Sequence, residues 1–117
     1  MSDPICFLVS DPICFLLFDQ GVPVPLRNAL VAIAAAETAY ERGWSTLQNG
    51  ELVAIAAKYF DVLVTTDKNL RYPQNLVHRG LAIVVLPTTK WPVLRQMTAI
   101  IATAIDQCPA NGLVEIE

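Results

Sequence analysis

The sequence predicts an α/β fold, a three-layer sandwich with a mostly parallel central sheet. Three observations predict it. Ile13–Phe18, Val62–Val64 and Leu81–Leu86 are apolar runs without polar alternation, as expected of strands covered on both faces. Stretches with apolar residues at helical spacing lie between these runs. Two of the runs end abruptly at a carboxylate, Asp19 and Asp67, at the end of a strand where α/β sheets bind ligands.

Taken in order, residues 2–8, Ser-Asp-Pro-Ile-Cys-Phe-Leu, recur at 10–16. The period is too short for a solenoid repeat and occurs twice only. The second copy leads through Ile13–Phe18 into Asp19-Gln20-Gly21 and is expected to form the first core strand. The first copy, 1–9, is expected to be an added surface or edge segment, leaving 10–117 as the domain. Pro25 suits a helix's first turn, and Leu26, Ala29, Leu30, Ile33 and Ala34 follow helical spacing. Propensity runs this helix on towards Tyr40. A strand around 36–41 is the rival, and periodicity leaves both open.

Residues 41–50 read as a polar loop containing Trp44, with Asn49 as N-cap of a helix whose stripe is Leu52, Ile55, Ala56 and Tyr59. Asn69–His78 is a polar connection, in which Pro73 limits any helix to its start. Pro92 opens the last helix, with Leu94, Met97, Ile101 and Ile105 on one face. Pro109 and Gly112 end it, and Leu113, Val114 and Ile116 make a final strand.

Composition narrows the class. At 117 residues the chain holds one domain, and 54% apolar against 16% charged residues describes a globule with a filled core. A net charge of -3 and a pI near 5.0 exclude a duplex binder that works through an overall basic field. Cys6, Cys14 and Cys108 form no CxxC pattern and suggest a reducing compartment. No Lys or Arg precedes Arg27, so the basic region of a signal peptide is missing, and no run is long enough to span a membrane. A cytoplasmic location is the expectation. There is no GxGxxG or Walker sequence to hold a nucleotide phosphate.

The chemistry-bearing candidates are Asp19, Glu51 and Asp67. Asp19 and Asp67 follow buried strands. Glu51 opens a helix that leads into a strand, so its end of the helix also belongs at the strands' carboxyl edge. Carboxylates gathered there repel, and Mg²⁺ or Mn²⁺ relieves that repulsion, prefers oxygen ligands and acts on water and phosphate. Taken singly, each acid has a structural explanation: Asp67 and Asp19 as turn formers, Glu51 as a partner of the helix dipole.

Phe-Asp-Gln-Gly-Val-Pro at 18–23, Asn-Gly-Glu-Leu at 49–52 and Val-Leu-Val-Thr-Thr-Asp-Lys-Asn-Leu at 62–70 resemble the PIN-like family DUF5615, over residues 10–117. The resemblance implies a PIN-like fold with a short second strand near 37–41. The wider PIN superfamily comprises Mg²⁺- or Mn²⁺-dependent ribonucleases, many of them toxins of toxin–antitoxin pairs. It thus implies a metal-dependent endoribonuclease acting on single-stranded RNA, with Asp19, Glu51 and Asp67 as catalytic and metal-holding residues. Many such nucleases carry a fourth acid; here Thr88 and Thr89 follow strand 81–86, with no carboxylate until Asp106. That departure, with the acidic pI, favours the alternative of a non-catalytic protein-interaction domain.

Lys68 and Arg71, next to Asp67, are the expected phosphate contacts. Arg27, Arg79 and Arg95 read as solvated charges. Trp44 and Tyr72 read as base-stacking candidates or as packing, with loop anchoring favoured for Trp44. His78 reads as a surface residue, and Cys108 as a small apolar one. The expected partners are single-stranded RNA, an antitoxin-like protein, and a second copy in a homodimer, for which the first repeat copy and helix 93–105 offer surface.

Overall fold

The computed structural model describes residues 14–30, 34–47, 49–68, 80–108 and 112–116. The first repeat copy, the 69–79 connection with Arg71, Tyr72, His78 and Arg79, and the side chain of Asn49 lie outside the described residues. In chain order the elements are β1 (Cys14–Phe18), α1 (Leu26–Ala29), β2 (Ala34–Thr38), α2 (Asn49–Tyr59) and β3 (Val62–Thr65). They continue with β4 (Ala82–Val85), α3 (Trp91–Leu94), α4 (Thr98–Gln107) and β5 (Leu113–Glu115). The sheet has the order β2-β1-β3-β4-β5, and every adjacent pair is parallel.

The alternation of side chains along each strand builds the layers. Leu16, Phe18, Val62, Val64 and Val84 face one side, where they pack with Leu26 and Leu30 around α1, Leu94 of α3, and Ile101 and Ile105 of α4. Leu17, Leu63, Ile83 and Val85 face the other side and meet Leu52, Val53 and Ala56 of α2, with Phe60 just beyond it. The result is helix, sheet, helix. The register sets Leu17 against Leu63, Leu63 against Ile83, and Ile83 against Leu113 across four strands. Both sides of β3 are buried along its length, as its uninterrupted apolar run predicts.

The structure departs from the sequence expectations in four places. The helix expected to continue from Leu26 through Ala34 spans Leu26–Ala29, and Ala34 begins β2. Alanine favours helix, but Cys14–Phe18 offers a full set of parallel backbone partners, and pairing overrides propensity. The strand expected near 37–41 lies earlier, at Ala34–Thr38. It ends there because the chain enters a helical turn, with the Arg42 N–H donating to the Thr38 carbonyl at 3.2 Å. The single last helix is two, α3 and α4. Between them Gln96 and Met97 donate to carbonyls three residues back, Val93 and Leu94, and regular spacing resumes when Ile101 donates to Met97. The break lets Leu94 and Ile101 both enter the core. Asn49 is the first residue of α2 and not its N-cap.

Among the described residues no helix is long and apolar enough to cross a membrane.

Because Leu63 is fully buried at the centre of the sheet, Leu63→Ala should destabilise the fold by about 2–5 kcal/mol. Urea unfolding should show this as a lowered midpoint. The same truncation at Val93, 45% exposed, should change stability by less than about 0.5 kcal/mol.

Candidate functional site

From β1 the chain crosses to β2 on one side, and β3 pairs with β1 on the other. The loops after β1 and β3 thus leave the sheet at the point where strand order reverses, where open α/β sheets form a crevice. Asp19 is the first residue after β1, and Asp67 the second after β3.

Backbone pairing holds Asp19 there: its N–H donates to the Val64 carbonyl at 2.9 Å, one step beyond the strand. The chain then turns back, with the Val22 N–H donating to the Asp19 carbonyl at 3.1 Å. Gly21 makes the turn with φ +112, and a Cβ on it would stand 3.0 Å from the Thr66 hydroxyl. The positive φ strains any side chain at this position, and a Cβ would also crowd the Thr66 hydroxyl in the third strand's loop. Thr89, after β4, approaches the same point at 3.7 Å.

The Asp19 carboxylate accepts the Gln20 N–H at 2.7 Å on Oδ1 and the Thr65 hydroxyl at 2.8 Å on Oδ2. Thr65 is fully buried. Its hydroxyl also accepts the Asp67 N–H at 3.1 Å. One hydroxyl therefore ties together the two residues that follow β1 and β3. Asp19 and Asp67 are both half-buried.

Glu51 lies exposed in the first turn of α2. That helix runs back along the sheet into β3, so its first turn belongs to the same edge. Among the described residues, however, no three His, Cys, Asp or Glu side chains form a group that could hold a metal ion. The Thr65 hydroxyl links Asp19 to the Asp67 backbone, and Asp19, Glu51 and Asp67 do not together form such a group. Lys68 is exposed in the turn after Asp67. Thr88 accepts the Lys90 N–H at 3.2 Å, which engages its hydroxyl locally.

Beside Asp19, between the ends of β1 and β2 and against α1, is a cleft of about 530 Å³. Arg27 lines it and is not the solvated charge that its sequence position suggests. Its Nη2 pairs with Glu41 Oε1 at 2.8 Å, and its buried Nε has no hydrogen-bond partner among the described residues. Glu41 also accepts the Thr38 N–H at 3.0 Å, while the Thr38 hydroxyl accepts the Glu41 N–H at 3.0 Å. This is a reciprocal capping box. The Thr-x-x-Glu spacing was the signal that could have found it. The Thr38 N–H and the Arg27 guanidinium hold the Glu41 carboxyl below the usual glutamate range.

Arg42 pairs with Glu37 at 2.6 Å, and its guanidinium carbon lies 5.0 Å from the Phe60 ring centroid and 5.2 Å from that of Trp44. These contacts engage the Arg42 guanidinium within the fold. Trp44 packs edge-on against Phe60 at 6.1 Å and anchors its loop, as expected. Burial pushes the Cys108 thiol up, against a smaller opposing hydrogen bond from Ile83, which keeps it neutral and weakly reactive.

No family model, curated protein or solved structure matches the chain.

Thr65→Val keeps the shape of the side chain and removes the hydroxyl. It should cost about 1–3 kcal/mol by leaving Asp19 and the Asp67 N–H each one partner short. Urea unfolding measures the loss, and hydrogen exchange at Asp67 should accelerate.

Glu41 adds a pH-dependent part to stability. Its folded-state pKa is depressed, so its contribution is present above the unfolded glutamate value and is lost as pH falls through the folded one. Glu41→Gln should therefore unfold at urea midpoints that differ less between pH 7 and pH 3 than those of the parent chain.

Proposed function

We propose that this chain is a PIN-like, metal-dependent endoribonuclease that cuts single-stranded RNA at the carboxyl edge of the sheet, and that it serves as the toxin of a toxin–antitoxin pair. The observation that carries this reading is the Thr65 hydroxyl bridge, which joins Asp19 to the Asp67 backbone at the reversal of strand order.

The donor set fits a hard divalent cation. Each Asp19 oxygen accepts a hydrogen bond and keeps a further lone pair. Mg²⁺ is commonly held by one or two carboxylates with substrate phosphate, retaining several waters. Asp19 and Asp67 would hold Mg²⁺ or Mn²⁺. When bound, the ion lowers the pKa of water and offsets charge on the phosphodiester. Asp19 is oriented for this by Thr65 and Gln20. Glu51, outside the pair, is assigned to orienting water and not to direct ligation. Lys68 and Arg71 are the phosphate contacts, their cations following Asp67 along the chain. The capping box and the Arg27 pair tie the turn after β2 to α1 beside this edge.

A second reading is favoured by one observation: Asp19, Glu51 and Asp67 do not form a three-acid group. In it the fold is a non-catalytic interaction domain whose partner is an antitoxin-like protein or a second copy.

Cleavage of single-stranded RNA with Mn²⁺, with EDTA, and by Asp19→Asn and Asp67→Asn separates the two. The nuclease reading expects cleavage that EDTA stops and that either substitution abolishes. It also expects Mn²⁺ affinity to fall by at least the roughly tenfold that losing even an outer-shell partner costs. Cleavage that resists EDTA, or equal Mn²⁺ binding by parent and variants, would sink it.

A further inference from the structure

An ion site at Asp19 leaves the neighbouring cleft unexplained. At about 530 Å³ it is large enough for a small organic group. Phe18, Val22, Val24 and Ala39 give it an apolar lining. The charged groups that line it are Asp19, Arg27 and Glu41, one cation against two carboxylates. The cation is already matched, since Arg27 donates to Glu41 at 2.8 Å. An anion such as phosphate would meet a carboxylate excess. A neutral planar group with its own donors and acceptors meets apolar walls, carboxylate acceptors and the Thr38 and Arg27 side chains. Tyr40, 77% exposed, also lines the cleft, and its exposed side chain is the one aromatic lining residue not held in the core.

We infer that the cleft receives one unpaired nucleobase of a single-stranded nucleic acid, with Tyr40 stacking on it. Resting on the nuclease reading, that base belongs to the nucleotide next to the phosphate at Asp19. Every base has a face to stack on, so an exposed aromatic captures bases with little dependence on sequence. The polar rim, with Asp19 accepting and Arg27 donating, selects among them. Arg27 is held in place by its pair with Glu41 and by burial of Nε. Little side-chain freedom is then lost on binding.

The test is an NMR titration of the full chain with adenosine, cytidine, guanosine and uridine, all free of phosphate, in EDTA. At least one nucleoside should give saturable shifts at the Gly21, Ala39 and Tyr40 amides. Tyr40→Ala should weaken that binding by about fivefold or more, the range for losing one stacking partner, while Tyr40→Phe should retain it. Absence of saturable shifts with all four, or equal binding by Tyr40→Ala and the parent, overturns the inference. The two proposals fail separately, because EDTA removes the cation. Nucleoside binding without Mn²⁺-dependent cleavage upholds the cleft and sinks the nuclease. Cleavage without nucleoside binding does the reverse.

Discussion

A hydroxyl buried among apolar strands must find partners or destabilise the fold. Among the described residues Thr65 is the one fully buried polar side chain, and it uses its hydroxyl both ways, donating to Asp19 and accepting from the Asp67 backbone. A fourth apolar residue after Val62-Leu63-Val64 would fill the same space without linking anything. With threonine there, the loops leaving β1 and β3 must stay together. Gly21 fits beside this link, because the turn takes φ +112, which strains any side chain, and a Cβ there would crowd the Thr66 hydroxyl.

The same two strands are joined by a carboxylate at their other end. Asp61 Oδ2 accepts the Phe15 N–H at 2.9 Å, and the Asp61 N–H donates to the Phe15 carbonyl at 2.9 Å. A carboxylate at the end of a strand is thus no sign of chemistry by itself. Asp61 completes backbone pairing at the amino edge, where crossovers enter the sheet. Asp19 does a related job at the carboxyl edge, but there the chain diverges to either side and leaves a crevice with lone pairs facing it. Topology, more than residue type, separates the two acids.

The strands that were legible in the sequence are β3, β4 and β1, whose side chains are buried on both faces, in β1 from Leu16 onward, because apolar runs need no alternation to be recognised. β2 was not legible from its residues. Ala34-Ala35-Ala36 carries a helical propensity, and what makes it a strand is Cys14–Phe18, twenty residues earlier in register. The break between α3 and α4 was hidden because Leu94, Met97 and Ile101 keep helical spacing across it. Of the site, Asp19 and Asp67 could be found by where their strands stop. The Thr65 bridge depends on register between β1 and β3, and the Arg27–Glu41 pair on the packing of α1 beside the turn after β2. Neither leaves a spacing that can be read along the chain. The Thr38–Glu41 box does, but its two ends fall in different expected elements, Thr38 in the strand near 37–41 and Glu41 at the start of the loop.

Asp19 belongs to both the acid edge and the cleft, since it lines the cleft and bonds to Thr65. Whatever occupies one place must therefore influence the other, and by an equal amount in each direction. The sign follows from charge. With the edge empty of cations, the cleft presents two carboxylates against Arg27. A divalent cation on Asp19 would more than cancel that excess. An anionic group would then gain most, a neutral planar group little, and a cationic group would lose. A chain carrying phosphates along its backbone and neutral bases at its side has its charge in the arrangement that such coupling favours: phosphate towards the ion, base towards the apolar lining.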